Sequence, residues 1–126
     1  MNDQQPNSEQ ENEKLKRCIL DNAVEAWRLE YVLQKILRNM DAKDQTRFIG
    51  KIRWFMKKNT EALEAAGFCL VNYENMAYEP GIPATPINID DFSDRDELFI
   101  SQMVEPVIVD RDGRVAHTGT VLLQKR

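Results

Sequence analysis

The feature that most constrains this chain is a long stretch without glycine or proline. Neither residue occurs between Pro6 and Gly50, and apolar residues recur there at steps of three and four. That period is typical of an α-helix with a wide buried stripe. We therefore predict a disordered tail over 1–8, a helical region over 9–66, and a different kind of structure after Gly67.

Two helices are predicted in this region, separated by a break near Asn39–Ala42. Gly67 is expected to end the second helix, because glycine readily takes the left-handed conformation that closes a helix. One antiparallel pair does not hide two wide apolar stripes, so we expect a second copy to complete a dimeric four-helix bundle. The predicted homodimer contacts are Leu20, Val24, Trp27, Tyr31, Phe48, Ile52 and Phe55.

The C-terminal half follows the pattern of strands. Pro106–Val109 and Val115–Thr118 flank Asp110–Gly113, whose Asp-Gly pair is typical of a β-hairpin turn. Leu98–Met103 fits either a strand or a helical turn, and the proline-rich segment before it suits an irregular or edge position. The sequence therefore predicts an α+β protein, with long N-terminal helices followed by a small β domain over 67–126.

Charge and composition exclude several classes of function. The net charge is −4 and the basic residues are spread through both halves, unlike the footprint of a protein that binds nucleic acid or anionic lipid. The acidic, polar N-terminus does not resemble a signal peptide, and no apolar run approaches the roughly 20 residues that span a bilayer. We expect a cytoplasmic protein without nucleic-acid or membrane partners, with Cys18 and Cys69 as reduced, buried thiols.

The residues do not form a recognisable catalytic or metal motif. His117 is the single histidine, and no serine or cysteine stands at the spacing of a nucleophile elbow. The acidic segment Asp90–Glu97 lacks the glycine of a calcium loop, and the Asp110–Gly113 segment lacks its distal glutamate. We therefore predict a protein that is not an enzyme and has no metal and no cofactor.

The outer face of the second predicted helix is basic. Arg47, Arg53, Lys57 and Lys58 concentrate toward one side of it. A face of this kind is usually only solvated, and contact with an acidic protein partner is the alternative interpretation.

Three segments of the second half resemble the GrpE family, the nucleotide-exchange factors of DnaK-type chaperones. Leu63–Phe68 resembles that family's junction between helix and β domain. Ala77–Gly81 resembles its glycine-x-x-phenylalanine-aspartate-proline-asparagine segment, and Arg114–Val121 resembles its closing valine strand. The similarity spans about residues 60–126, and over the helices it concerns the order of the parts alone.

The resemblance implies a stress-response cochaperone that needs no catalytic residue. In the family, a dimer presses one β domain against a lobe of the chaperone's ATPase domain and stabilises an open cleft that holds ADP poorly. Carried over to this chain, the contact with a DnaK-type ATPase domain would involve Tyr78, Glu79, Pro80, Met103, Arg114, His117 and Thr118.

Two other hypotheses stay open at this point. The family's arginine-proline pair in the last strand is replaced near His117–Gly119, which favours a dimeric adaptor or regulator that keeps the scaffold without exchange activity. The long acidic loop from Pro80 to Glu97 leaves room for a small enzyme with an unrecognised site.

Overall fold

The computed structural model describes residues 8–126 and begins with two long α-helices. Helix α1 spans Ser8–Arg38 and helix α2 spans Ala42–Ala65. Asp41 caps α2, because its carboxylate accepts a hydrogen bond from the backbone N–H of Asp44 at 2.9 Å and so satisfies a free amide of the first turn. The short connection folds the helices into an antiparallel hairpin. The predicted disorder of the tail concerns residues outside the described range, apart from Ser8, which is helical.

The end of α2 confirms the predicted role of Gly67. This glycine has φ +94°, a conformation that costs other residues steric strain. The amide of the following Phe68 returns to donate to the carbonyl of Leu63 at 3.0 Å. The chain therefore turns sharply out of the helix and enters the first strand within a few residues.

Six strands follow, in two sheets of three strands each. Their bounds are β1 Cys69–Val71, β2 Ala84–Pro86, β3 Leu98–Glu105, β4 Val107–Val109, β5 Val115–His117 and β6 Gly119–Lys125, with a 3-10 turn at Ile89–Asp91. The first sheet has the order β1-β4-β5 and is antiparallel; the second has the order β2-β6-β3, with β2 parallel to β6. We call residues 69–126 the β unit.

The local predictions for this half are largely confirmed. The hairpin β4–β5 closes through the predicted turn, in which Gly113 has φ +80° and the Asp110 carboxylate accepts from the amides of Asp112 and Arg114. The proline-rich segment contributes β2, an edge strand. The ambiguous Leu98 segment is the strand β3, because its buried positions continue the core of the second sheet.

The chain crosses between the two sheets three times, over residues 72–83, at Pro106 and at Thr118. Gly119 starts β6 at the last crossing, where a Cβ atom would lie 2.8 Å from Cγ2 of Val107 and 3.1 Å from the carbonyl oxygen of Glu105. Such distances are too short for any side chain, so glycine lets the two sheets approach closely here.

The helices pack on the strands and share a core with them. One cluster joins Ala23 and Val24 of α1, Leu63 of α2, Phe68 of the connection after α2, and Ile108 of β4. The second cluster lies between the strands, and Trp27 of α1 packs against it. The expected α+β class, with N-terminal helices and a C-terminal β region, is confirmed.

The expected burial of Cys18 and Cys69 is wrong. Both thiols are free but exposed, because each lies on the outward side of its helix or strand. Phe48 and Phe55, two of the predicted dimer contacts, are exposed on α2, whereas Leu63 of the same helix is buried. Helix α1 therefore covers only one flank of the apolar stripe of α2.

Within residues 8–126, no helix is both long enough and apolar enough to cross a membrane.

Candidate functional site

The residues predicted to contact a chaperone fall into two groups. The first, which we call the Tyr78 patch, consists of Tyr78, Glu79 and Pro80. It lies beside the beginning of β3, because the amide of Tyr78 donates to the carbonyl of Leu98 at 2.9 Å. The Tyr78 ring also packs against the core of the second sheet, so its apolar side is anchored within the β unit.

An open groove of about 640 Å³ runs beside the Tyr78 patch. Its apolar lining includes Phe92 and Leu98 as well as Tyr78, and Arg126 lies at its end. Carboxylates surround it, namely Glu79, Asp94, Asp96 and Glu97. An apolar floor with an acidic rim is suited to a polypeptide segment that carries basic side chains.

The second group, the β5 patch, consists of Arg114, His117 and Thr118. Strand β5 is an edge of the first sheet and pairs only with β4. A groove of about 370 Å³ separates it from α1 and is lined by Arg114 and His117 on one side and by Lys16 and Arg17 on the other. The open edge and these four side chains form a surface that is accessible to a partner.

Strand β3 separates the two patches. The Tyr78 patch lies at Leu98, where β3 begins, and His117 contacts Glu105, where β3 ends. Eight residues of strand extend for about 25 Å. The structure therefore does not bring the predicted residues together as one patch, and a partner must be broad to contact both groups at once.

The assignment of Met103 to this surface is wrong. Its side chain is 1% exposed and belongs to the core of the second sheet. Its carbonyl accepts a hydrogen bond from Nε1 of Trp27 at 2.8 Å, and its amide donates to the carboxylate of Glu74 at 3.3 Å. Met103 thus anchors α1 to β3 and does not face a partner.

A charged cluster behind the β5 patch joins α1 to both sheets. Glu105 accepts hydrogen bonds from the guanidinium of Arg28, and its Oε1 lies 2.9 Å from Nε2 of His117. Partial burial raises the pKa of Glu105, but its hydrogen bonds to Arg28 and His117 outweigh this and hold that pKa below its ordinary value. The carboxylate is therefore kept ionised, and one ring nitrogen of His117 is already engaged within the chain.

Four of the seven predicted dimer contacts pack against the β unit of the same chain. Val24 is buried against the first sheet, and Leu20 packs beside it. Trp27 packs on the second sheet, and the hydroxyl of Tyr31 donates to Oε1 of Gln102 at 2.9 Å. These residues do lie on an apolar stripe, but the β unit covers that stripe, which a search for helical period alone does not reveal.

Phe48, Ile52 and Phe55 remain on the helical hairpin. Ile52 is half-buried beside α1, whereas Phe48 and Phe55 are exposed. On α1, three more exposed apolar residues follow each other at helical spacing: Leu29, Val32 and Ile36. We call the five exposed residues the apolar face. In the sequence, Leu29 and Ile36 recur at helical spacing on a face separate from that of Trp27, and this pattern locates the α1 part of the apolar face.

A small polar cleft lies where α1 meets β3. It measures about 150 Å³ and is lined by Glu30, Glu74 and Asn72 beside the rings of Trp27 and Tyr31. Desolvation, together with the nearby charge of Glu74, raises the pKa of Glu30 even though Gln34 donates a hydrogen bond to it. Across residues 8–126, no three His, Cys, Asp or Glu side chains converge as they would around a metal ion.

A scan against protein families, a search of curated proteins and a search of solved structures found no match to this chain. The relation to the GrpE family stays a prediction, made from the three segments named above and from the order of helices and strands.

Proposed function

We propose that this protein is a cochaperone that binds the ATPase domain of a DnaK-type chaperone and promotes the release of ADP. The observation that carries the proposal is the placement of the family-like Arg114–Val121 segment. It forms the open edge β5 and enters the central strand β6 of the second sheet. A segment that binds a partner needs an accessible strand, here β5, and a neighbouring strand that is firmly packed in the core, here β6.

The proposed mechanism depends on shape and needs no bond to be made or broken. The β unit would bind the open form of the nucleotide cleft more tightly than the closed form. Because coupling between two ligands is reciprocal, ADP would then bind less tightly by the same factor, commonly about 5- to 150-fold. The buried core around Ile100, Val107 and Val121 supports this role, since a domain that holds a cleft open must resist deformation.

We further propose that the protein acts as a homodimer through the apolar face. Leu29, Val32 and Ile36 lie on the side of α1 turned away from the β unit, and Phe48 and Phe55 flank the line of contact between the helices. Exposed apolar residues in one continuous row favour association. A second hairpin packed on this row would complete a four-helix bundle.

The exchange activity is tested by stopped-flow release of a fluorescent ADP analogue from a DnaK-type ATPase domain. We expect the wild-type protein to accelerate release, and Arg114→Glu to reduce the acceleration by roughly tenfold, as for a central contact. Lys43→Glu is the matched control, because it makes the same charge change on an exposed residue at the start of α2, whereas α2 meets the β unit at its other end, at Leu63. No acceleration at saturating wild-type protein would refute the proposal.

The dimer is tested separately by light scattering. The double variant Ile36→Glu, Phe55→Glu is expected to halve the mass in solution, because buried carboxylates without partners oppose association. Ile87→Glu serves as the control, since Ile87 is equally apolar and exposed but lies in the β unit. If the wild-type protein has the mass of one chain at all concentrations, the proposed dimer is refuted, but the proposal of exchange activity is not.

A second candidate is an adaptor or regulator on the same scaffold, without exchange activity. The observation that favours it is that Met103 is buried and that Nε2 of His117 already lies 2.9 Å from Oε1 of Glu105 within the chain. Binding to the ATPase domain with unchanged ADP release would favour this candidate. Isothermal titration with and without ADP separates the two, because an exchange factor must bind more weakly when ADP is present.

A further inference from the structure

The outward side of α2 carries a concentrated positive charge. From Lys43 to Lys58 the chain has six basic residues and one acidic residue, Asp44, which leaves eleven basic and twenty acidic residues elsewhere. This segregation is not visible in the overall net charge of −4. A local positive surface on a negatively charged protein favours selective partners over general attraction to polyanions.

Four of the outward residues form a single line, which we call the basic row: Arg47, Lys51, Trp54 and Lys58. Their spacing of four, three and four residues places them on one face of the helix, over a length of about 17 Å. The side of α2 facing α1 is different and carries Ile49, Ile52 and Met56. The basic row therefore points away from the rest of the molecule.

Trp54 at the centre of the basic row is unusually accessible. Its side chain is 60% exposed, and Nζ of Lys58 lies 4.6 Å from the centre of its ring. Within residues 8–126, Lys58 pairs with Glu61 at 3.5 Å, whereas Arg47 and Lys51 form no ion pair. Tryptophan and arginine are the residue types most enriched at the energetic centres of protein interfaces.

From this arrangement we infer that the basic row is a docking site for an acidic segment of a partner protein, with an apolar side chain of that segment stacked on Trp54. The positive charges of the basic row favour carboxylates on the partner segment, and the exposed indole of Trp54 favours an apolar side chain there. A bilayer is disfavoured because the basic row offers one apolar residue among three cations, whereas a helix that lies in a membrane needs a wide apolar face. This inference does not depend on the proposed exchange activity.

The test uses two labelled synthetic peptides of about 15 residues, long enough in helical form to cover the basic row. Both contain the same leucine and phenylalanine residues, but their charges are supplied by Asp and Glu in one and by Lys and Arg in the other. Fluorescence anisotropy with the full chain should show saturable binding of the acidic peptide, whereas any binding of the basic peptide should not change in variants of the basic row. The binding of the acidic peptide should weaken as salt is added, since exposed charges are screened.

Two variants of the full chain locate the site. Trp54→Ala and the double variant Lys51→Glu, Lys58→Glu are each expected to weaken binding of the acidic peptide by roughly tenfold or more. Arg95→Glu is the control, because Arg95 is exposed but lies in the β unit. Circular dichroism should be unchanged for all of them, because none of these side chains is buried.

Three outcomes would overturn the inference. The first is that the acidic peptide shows no saturable binding to the wild-type chain. The second is that Arg95→Glu loses as much affinity for that peptide as the variants of the basic row, and the third is that those variants bind it as tightly as the wild type. Tighter binding of a single-stranded RNA of equal charge, or of phosphatidylglycerol vesicles, would assign the surface to a different class of partner.

Discussion

The β unit and the outer part of the helical hairpin bury their apolar residues to very different degrees. In the β unit, Ile100, Val107, Ile108 and Val121 are 0% exposed. In the outer hairpin, Leu37 is buried, whereas most other large apolar side chains of residues 29–58 remain partly or largely accessible. The first region has its core fully covered within the chain, partly by the helices, and the second leaves apolar surface available for association.

The reason for this difference is the number of neighbours that each element has. Strand β6 lies between β2 and β3, so its side chains are covered from several directions. A helix in an isolated pair contacts one neighbour along one stripe, and the rest of its surface faces water. The inner part of α1 is buried on two sides, because the β unit is a second neighbour that packs against Val24 and Trp27.

The largest expected effect contrasts a residue of each region. Trp27→Ala removes a side chain that packs on the second sheet and donates to the carbonyl of Met103, and should lower the free energy of unfolding by about 3–5 kcal/mol. Phe55→Ala removes a ring that is 46% exposed and should cost below about 1 kcal/mol in the monomer. Urea unfolding followed by circular dichroism at low protein concentration measures both.

Protein concentration sharpens that contrast. If the apolar face binds a second copy, the cost of Phe55→Ala should grow as concentration rises, because association stabilises only the folded chain. The cost of Trp27→Ala, measured against the wild type at the same concentration, should stay constant. Equal losses in free energy of unfolding for the two variants at low concentration would mean that the ring of Phe55 is buried within the monomer.

An effect of intermediate size comes from two glycines. Gly119→Ala places a methyl group against Val107 and the backbone of Glu105 and should destabilise the protein by about 1–3 kcal/mol. Gly50→Ala meets no atom within 4 Å and should stabilise α2 by up to about 1 kcal/mol, because alanine favours the helix. Thermal unfolding should therefore shift in opposite directions, and a shift of the same sign in both would contradict the proposed packing.

The smallest expected effect concerns the ion pair of Arg28 and Glu105, which joins α1 to the β unit. Because the folded protein holds the pKa of Glu105 below its ordinary value, the unfolded chain binds a proton there more readily. The resulting stability is present above about pH 5 and is lost as the pH falls further. Glu105→Gln should cost about 1 kcal/mol at neutral pH, since Arg28 is half exposed and solvent weakens the pair.

The measurement that checks this is chemical unfolding of both proteins between about pH 7 and pH 3. The difference in free energy between wild type and Glu105→Gln should shrink as the pH falls. A difference that stays constant over this range would show that the Glu105 carboxylate contributes by its shape and not by its charge.

Local patterns predicted the elements of this fold well and their partners poorly. The helix stop at Gly67 and the Asp110–Gly113 turn follow from the backbone preferences of those residues. The partners of Trp27 and His117 lie 76 and 12 residues away. A contact over such a separation is decided by how elements pack, which helical or strand period does not encode.

The candidate site shows the same division. The sequence located the basic side of α2 and the family-like segments, because charge pattern and short motifs are local properties. The resemblance to GrpE placed Met103 on a surface, and the sequence could not correct this, because the inward or outward direction of a strand residue is unknown until the neighbouring strand is known. The sequence also assigned the stripe of Val24 to a second copy, although the β unit covers that stripe.

By itself, therefore, the amino-acid sequence determined where the helices and the hairpin lie, because those elements depend on residues a few positions apart. The tertiary structure decided which apolar stripe is covered within the chain and which is left open, and it split the predicted chaperone contacts between the two ends of β3. The physical reason is that burial depends on the packing of distant segments, and only the folded chain fixes that packing.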